Sequence, residues 1–128
     1  MEIKDCPLRK IISAEKDESV LNIAKLLKKH KERHIIITEK DKPIGIISTT
    51  DINNRLVAAN KDPKKTKAEE IMTSSIISKD IGESLAKTYF EMLKKNIFSC
   101  PVTKDGKLKG VLDIKSAMNH IVKSKVEE

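Results

Sequence analysis

GIISTTDI, residues Gly45–Ile52, returns later in the chain as GVLDIKSA, Gly110–Ala117, with its polar residues exchanged. Ser48 and Asp51 of the first stretch give way to Asp113 and Ser116 in the second. Both stretches follow a turn-rich polar segment, and both read as an apolar strand running directly into a helix. The fold turns on whether the two are copies of one unit.

Stepping by 65 positions aligns far more than these eight residues. Ile11-Ile12-Ser13 meets Ile76-Ile77-Ser78, and Glu18-Ser19-Val20 meets Glu83-Ser84-Leu85. Thr38, Lys42 and Gly45 meet Thr103, Lys107 and Gly110. The register holds without a gap over nearly the whole unit. Each copy predicts a short strand (Ile11–Ser13; Ile76–Ser78) and then an amphipathic helix. The helix carries Val20, Ile23, Ala24 and Leu27 in one copy, and Leu85, Tyr89, Met92 and Leu93 in the other. A hairpin follows: His34–Thr38, EKDKP and Ile44–Ile47, then Cys100–Thr103, KDGK and Leu108–Leu112, with Asp105-Gly106 a strong turn signal. A closing helix ends each copy, at Thr50–Asn60 and Ile114–Val122. The pattern is β-α-β-β-α written twice, an α/β (α+β) architecture. A unit of about 60 residues is marginal alone, so two repeats packed through their sheets about a pseudo-two-fold axis are expected. The boundaries expected are 1–62 and 63–128, with a charged linker at about 60–67 (NKDPKKTK) broken by Pro63.

Composition narrows the class. In 128 residues the net charge is +7, with 35% charged and 38% apolar residues. Residues 1–64 carry 14 Lys and Arg against 10 Asp and Glu, and residues 65–128 carry 12 against 9. The positive excess is therefore spread, which favours anionic ligands in general without selecting one. Gln and Trp are absent while Lys, Glu and Ile abound, a bias expected of a protein from a hot environment. Cys6 and Cys100 match no metal or CxxC spacing and read as reduced thiols. No apolar run approaches the roughly 20 residues of a membrane span, and MEIKDCPLRK has no signal core. A cytoplasmic protein is expected.

With the repeat in hand, the order IMTSSIIS (Ile71–Ser78), a helix, FSCPV (Phe98–Val102) and KDGKLKGVLDI (Lys104–Ile114) resembles the CBS domain, named for cystathionine β-synthase. Two such domains in tandem form a Bateman module, and the resemblance covers roughly residues 3–123, so the chain reads as a stand-alone pair. The resemblance implies a sensor, not an enzyme. It implies adenosyl ligands (AMP, ADP, ATP, S-adenosylmethionine and relatives) held in clefts between repeats, and no obligatory cofactor. The family's Ser/Thr-x-x-Asp signature is matched by Ser48-Thr49-Thr50-Asp51. It implies that the Asp takes ribose hydroxyls and the Ser faces phosphate, with adenine against Ile11, Ile12 and Ser13 and against His34, Ile35 and Ile36. A homodimer, the family's disc-like assembly, and a regulated protein partner are implied as well. Ile52, Leu56, Val57, Ala117, Met118 and Ile121 lie at helical spacing suited to the dimer, or equally to the core of one chain.

The residues alone permit a plainer reading of Ser48 and Asp51. A helix N-cap Ser with an acidic residue three positions on is a capping box and needs no ligand, although the two roles are compatible, since a helix start also favours an anion. The second copy separates them. Asp113 is an excellent cap, but a carboxylate there repels phosphate and Ser116 is a weaker partner for a ribose diol. One competent site is therefore expected, and one degenerate site at Asp113, Ser116, Ile77, Ser78, Cys100 and Pro101. Arg33 and Arg55 are within plausible reach of phosphates, or are simply solvated. The lysine-rich KLLKKHKER and KDPKKTK favour a rival reading as a nucleic-acid module, against which stands the lack of stacking aromatics beyond Tyr89, Phe90 and Phe98. Glu69-Glu70 and Glu127-Glu128 have no partner suited to paired-carboxylate chemistry. No phosphate-binding loop, metal cluster or activated nucleophile is evident.

Overall fold

Apolar residues three and four positions apart make the long helix of each repeat, and a serine begins it. In this computed structural model, which describes residues 1–127 and side chains through Lys125, helix α1 is Val20–His30. Glu128 and the side chain of Glu127 lie outside the described residues. Val20, Ile23 and Leu27 are the buried stripe of α1, and the Ser19 hydroxyl accepts the Asn22 N–H at 3.2 Å. Lys31 ends the helix in the left-handed region, at φ 54°. The sheet beside it has β1 (Ser13–Glu15) parallel to β2 (His34–Glu39), and β2 antiparallel to β3 (Lys42–Ser48). Ile35, Ile37 and Ile47 send their side chains into one cluster with Val20, Ile23, Leu27 and Leu56. Alternation along the strand puts Ile36 on the opposite face.

The second repeat repeats this. Between β3 and it lie α2 (Thr49–Asp51), a π-helical segment Ile52–Val57 and α3 (Ala68–Ile71). Then come β4 (Lys79–Asp80), α4 (Leu85–Lys94), β5 (Ser99–Lys104), β6 (Lys107–Asp113) and α5 (Ile114–Glu127), with sheet order β4-β5-β6. Even the irregularities recur: the β2–β3 register slips between Ile37 and Thr38, and the β5–β6 register between Val102 and Thr103. Among the described residues, no buried side-chain nitrogen or oxygen lacks a partner.

The boundaries of elements differ from expectation in two places. The first strands begin later than Ile11 and Ile76, because ladder pairing starts at Ser13↔Ile36 and Lys79↔Val102. The apolar Ile12 and Ile77 that suggested strands instead pack against the cores just before it. The helix expected at Thr50–Asn60 is α for one turn only. It then widens, with the Ala58 N–H donating to Asn53 O at 2.9 Å, an i to i−5 bond.

The packed units are also not the contiguous halves 1–62 and 63–128. One unit is Ile11–Ile76, and the other joins Met1–Lys10 to the chain from Ile77 onward. A short 3₁₀ turn, Ile3–Asp5, carries Ile3 and then Cys6 into the core of Leu85, Met92, Cys100 and Leu112. The Ile3 N–H donates to Glu83 O and the Lys4 N–H to Ile81 O, both at 2.9 Å. The same bonds recur from Ala68 to Glu18 O (2.8 Å) and from Glu69 to Lys16 O (3.0 Å). Each core is thus completed by the segment that leads into the other repeat. Gly45 and Gly110 are where these segments press on a strand. A Cβ at Gly45 collides with the Met72 side chain, and one at Gly110 meets Arg9 O at 3.1 Å.

Candidate functional site

Ser48 is the last residue of β3 and leaves it extended, at φ −107° and ψ 165°, so its hydroxyl turns back over the first helical turn. The Asp51 N–H donates to Ser48 Oγ at 3.1 Å, and the Ser48 N–H donates to Asp51 Oδ2 at 2.9 Å. The capping box is complete. Its members then contact a residue further along: Arg55 Nε lies 3.7 Å from Asp51 Oδ1, with the Asp51 side chain only 15% exposed. Arg55 Nη1 donates to Ile71 O at 3.1 Å and to Met72 O at 3.0 Å. The guanidinium therefore bridges the capping box to the end of α3. A carboxylate has about four lone-pair positions, so these contacts leave Asp51 acceptor capacity for a diol.

The neighbouring strand supplies the rest of the wall. His34 pairs directly with Ser48 across the sheet and is exposed. The Thr49 N–H donates to Arg33 O at 3.1 Å, which fixes Arg33 beside the helix start. Ser13, Thr49 and Thr50 are exposed and Ile11 is half-buried. Ile35 does not join them: it has no exposed surface and belongs to the hydrophobic core. Ile12 packs against that core too, and Ile36 is 1% exposed. Ile35 and Ile36 thus offer almost no side-chain surface, while Ile12, like Ile11, stays partly exposed. On the other side of Thr49 an open depression of about 310 Å³ is lined by Ala24, Leu27, Lys28, Glu32, Thr49 and Ile52.

The second copy keeps the cap and loses the rest. Asp113 Oδ2 accepts the Ser116 N–H at 3.4 Å, and among the described residues no bond returns from the Ser116 hydroxyl. The Ile114 N–H donates to Phe98 O at 2.9 Å, as Thr49 does to Arg33. Cys100 is fully buried with its thiol near Ile77 O, and Pro101 is buried; Ser78 is exposed and Ile77 packs on the core. Where Arg55 stands in the first copy the second has His120. The counterparts of Asp51 and Met72, Ser116 and Pro7, are not spanned and instead line a depression of about 230 Å³ with Asn119, His120 and Lys123.

Two features escaped sequence reasoning. The anchoring of Arg55 depends on carbonyls 16 and 17 positions away, which no local spacing reveals. Of the six residues suited to a dimer face, Leu56 and Ala117 are buried in their own units, and Ile52 and Ile121 pack against those cores. Only Val57 and Met118 are exposed, at 65% and 41%. Among the described residues no helix is long and apolar enough to cross a membrane, and no group of His, Cys, Asp and Glu could hold a metal.

These features define a duplicated α/β module with a polar site at one strand-to-helix junction. The chain belongs to the CBS domain family, whose model matches residues 3–58 and again 68–123. It is 30% identical over 112 residues to an uncharacterised protein of Methanopyrus kandleri, covering 86% of this chain and 57% of that one. It is 38% identical over 104 residues to the L-aspartate semialdehyde sulfurtransferase of Methanocaldococcus jannaschii, covering 80% of this chain and 19% of the relative. The chain thus spans between about a fifth and just over half of these curated relatives. Among solved structures it is similar to a CBS domain pair in complex with 5′-methylthioadenosine and S-adenosyl-L-methionine, at 30% identity and TM-score 0.70 over 98% of both chains. It is also similar to hypoxic response protein I with two coordinated zinc ions, at TM-score 0.80 and 20% identity over 94% of this chain and 98% of that one; this likeness concerns the fold.

Proposed function

We propose that this CBS pair is a regulatory module that senses an adenosyl ligand at Ser48–Asp51 of its first repeat. The observation that carries the reading is the capping box itself. It presents a fixed, partly exposed carboxylate beside a serine hydroxyl, on a fold shared with a pair that binds 5′-methylthioadenosine and S-adenosylmethionine. Asp51 accepts the ribose hydroxyls, Ser48 and the exposed Thr49 and Thr50 offer hydroxyls to the remainder, and His34 borders the base. The Asp113–Ser116 site is the weaker of the two. Binding changes the affinity for a protein partner by favouring one arrangement of the chain, with coupling of about 1–3 kcal/mol; the role is regulatory, not catalytic, and a homodimer is its working form.

The test is a thermal-shift panel of AMP, ADP, ATP, S-adenosylmethionine and 5′-methylthioadenosine, because a ligand that binds only the folded state raises the melting temperature by mass action. At least one is expected to do so; a flat panel removes the main support for the reading.

A further inference from the structure

Large apolar side chains are exposed together on the second repeat. Phe90 and Leu93 of α4, Phe98 beyond it, and Met118 and Val122 of α5 are between 41% and 70% exposed. At 3.6 residues per turn, Phe90 and Leu93 share the flank of α4 beside its buried Leu85 and Met92. Met118 and Val122 share the flank of α5 beside the buried Ala117 and half-buried Ile121. The Ile114 N–H donates to Phe98 O at 2.9 Å, so α5 begins just past the end of α4, and the two helices pack side by side. The first repeat shows where such flanks face: Ala24, Lys28 and Ile52, the counterparts of Tyr89, Leu93 and Ala117, line one depression there. The five side chains thus form one strip.

The same positions in the first repeat carry a different chemistry. Their counterparts 65 positions earlier are Lys25, Lys28, Arg33, Asn53 and Val57, every one of them exposed as well. The half-buried Glu32 stands among them as one anion against three cations. The strip itself is uncharged, and the charges on its helices lie to its sides. Lys87 and Lys94 are further round α4, and Lys115 and Lys123 flank Met118 and Val122 on α5. Glu91 is already held by Lys79 at 2.7 Å and by Lys95 at 3.0 Å.

We infer that two copies of the chain pair through the second repeat alone, strip against strip, and that the matching face of the first repeat takes no part. The inference rests on the homodimer proposed above, whose face it names, and is independent of the ligand. A two-fold contact uses the same patch on both copies, so the patch must complement itself. An apolar strip does so, whereas Lys25, Lys28 and Arg33 would meet a second set of cations. Setting the first face of one copy on the strip of another withdraws lysines from water against apolar side chains, with Glu91 already engaged. Strip on strip buries phenylalanine, leucine, methionine and valine and leaves Lys115 and Lys123 in water at the edge, an apolar centre within a polar rim.

Sedimentation velocity of the full chain, unaltered and with the first repeat's residues moved onto the strip (Phe90→Lys, Leu93→Lys and Phe98→Arg together), reads this directly. The unaltered chain is expected to dimerise, and the triple variant to do so at least about thirtyfold more weakly, the scale of losing an interface hot spot. Lys25→Ser with Lys28→Ser leaves dimerisation within about twofold. Melting curves identify a variant that fails to fold, in which case cross-linking decides. Cys6 and Cys100 are buried, so a bis-maleimide reports on an introduced surface thiol. Leu93→Cys chains are expected to couple to one another. Coupling of Lys28→Cys chains to each other or to Leu93→Cys chains overturns the inference, as does a dimer untouched by the triple substitution; both leave the homodimer standing. An unaltered chain that stays monomeric overturns the inference and the homodimer together.

Discussion

At the residue scale, Ser48 and Asp51 form a capping box, and the recognition role proposed for them is compatible with it. The box closes at 3.1 and 2.9 Å by contacts within the chain itself, which fixes the orientation of the carboxylate. The cap half of this was legible in the sequence, because it depends only on a spacing of three residues. The exchange of Ser and Asp between copies was legible for the same reason, and the structure shows its consequence: one reciprocal box and one single bond. Arg55 was legible as a possible phosphate contact or a solvated charge, but its anchoring to Ile71 O and Met72 O was not. A second residue-scale consequence concerns Cys100, whose thiol is raised from the usual 9.0 to about 11, chiefly by burial. The folded chain thus holds this proton to higher pH than the unfolded chain does, so stability falls as pH rises from about 9 towards 11. Denaturation across that range should show the decline, and Cys100→Ala should flatten it; an unchanged slope in the variant contradicts the assignment.

At the scale of elements, the hairpins carry the clearest asymmetry between the copies. Lys40 and Asp41 have φ of 51° and 69°, and Asp105 and Gly106 have 54° and 80°. Two consecutive residues at positive φ give the turn whose twist matches paired strands. The second copy meets this with glycine, and the first places aspartate there. Asp41→Gly should therefore stabilise the chain by roughly 0.5–1 kcal/mol, the left-handed penalty less the entropy that glycine loses. Urea denaturation measures it, and a loss of stability would show that Asp41 makes a compensating contact. Hairpins and long helices were readable because their signals are local. The late start of β1 and β4 was not, since the ladder there recruits Ser13 and Lys79 in preference to the more apolar residues before them. The π-helical turn was equally hidden. Nothing in INNRLV signals a wider helix, which keeps Leu56 in the core while Arg55 reaches Ile71 and Met72.

For the molecule as a whole, the repeat was plain in the sequence and the division of the chain into packed units was not. A 65-residue offset reports similarity between copies and is silent about which copy a segment packs on. Ile3 and Cys6 settle in the core of the second repeat's elements, as Ala68 and Ile71 settle in that of the first. Deleting Met1–Lys10 should therefore cost at least about 2 kcal/mol, the scale of emptying a buried isoleucine position. In hydrogen exchange, protection should fall at Ile81–Leu85 and around Val111, where that segment is bonded. Loss confined to residues 11–62 would mean the segment packs elsewhere.

The central claim, a single competent adenosyl site at the first junction, is tested most directly by calorimetric titration of AMP and S-adenosylmethionine into the unaltered chain, Asp51→Ala and Ser116→Ala. The account predicts a stoichiometry near one, binding abolished by Asp51→Ala and nearly unchanged by Ser116→Ala. Equal losses from the two substitutions, or full binding by Asp51→Ala, would contradict it.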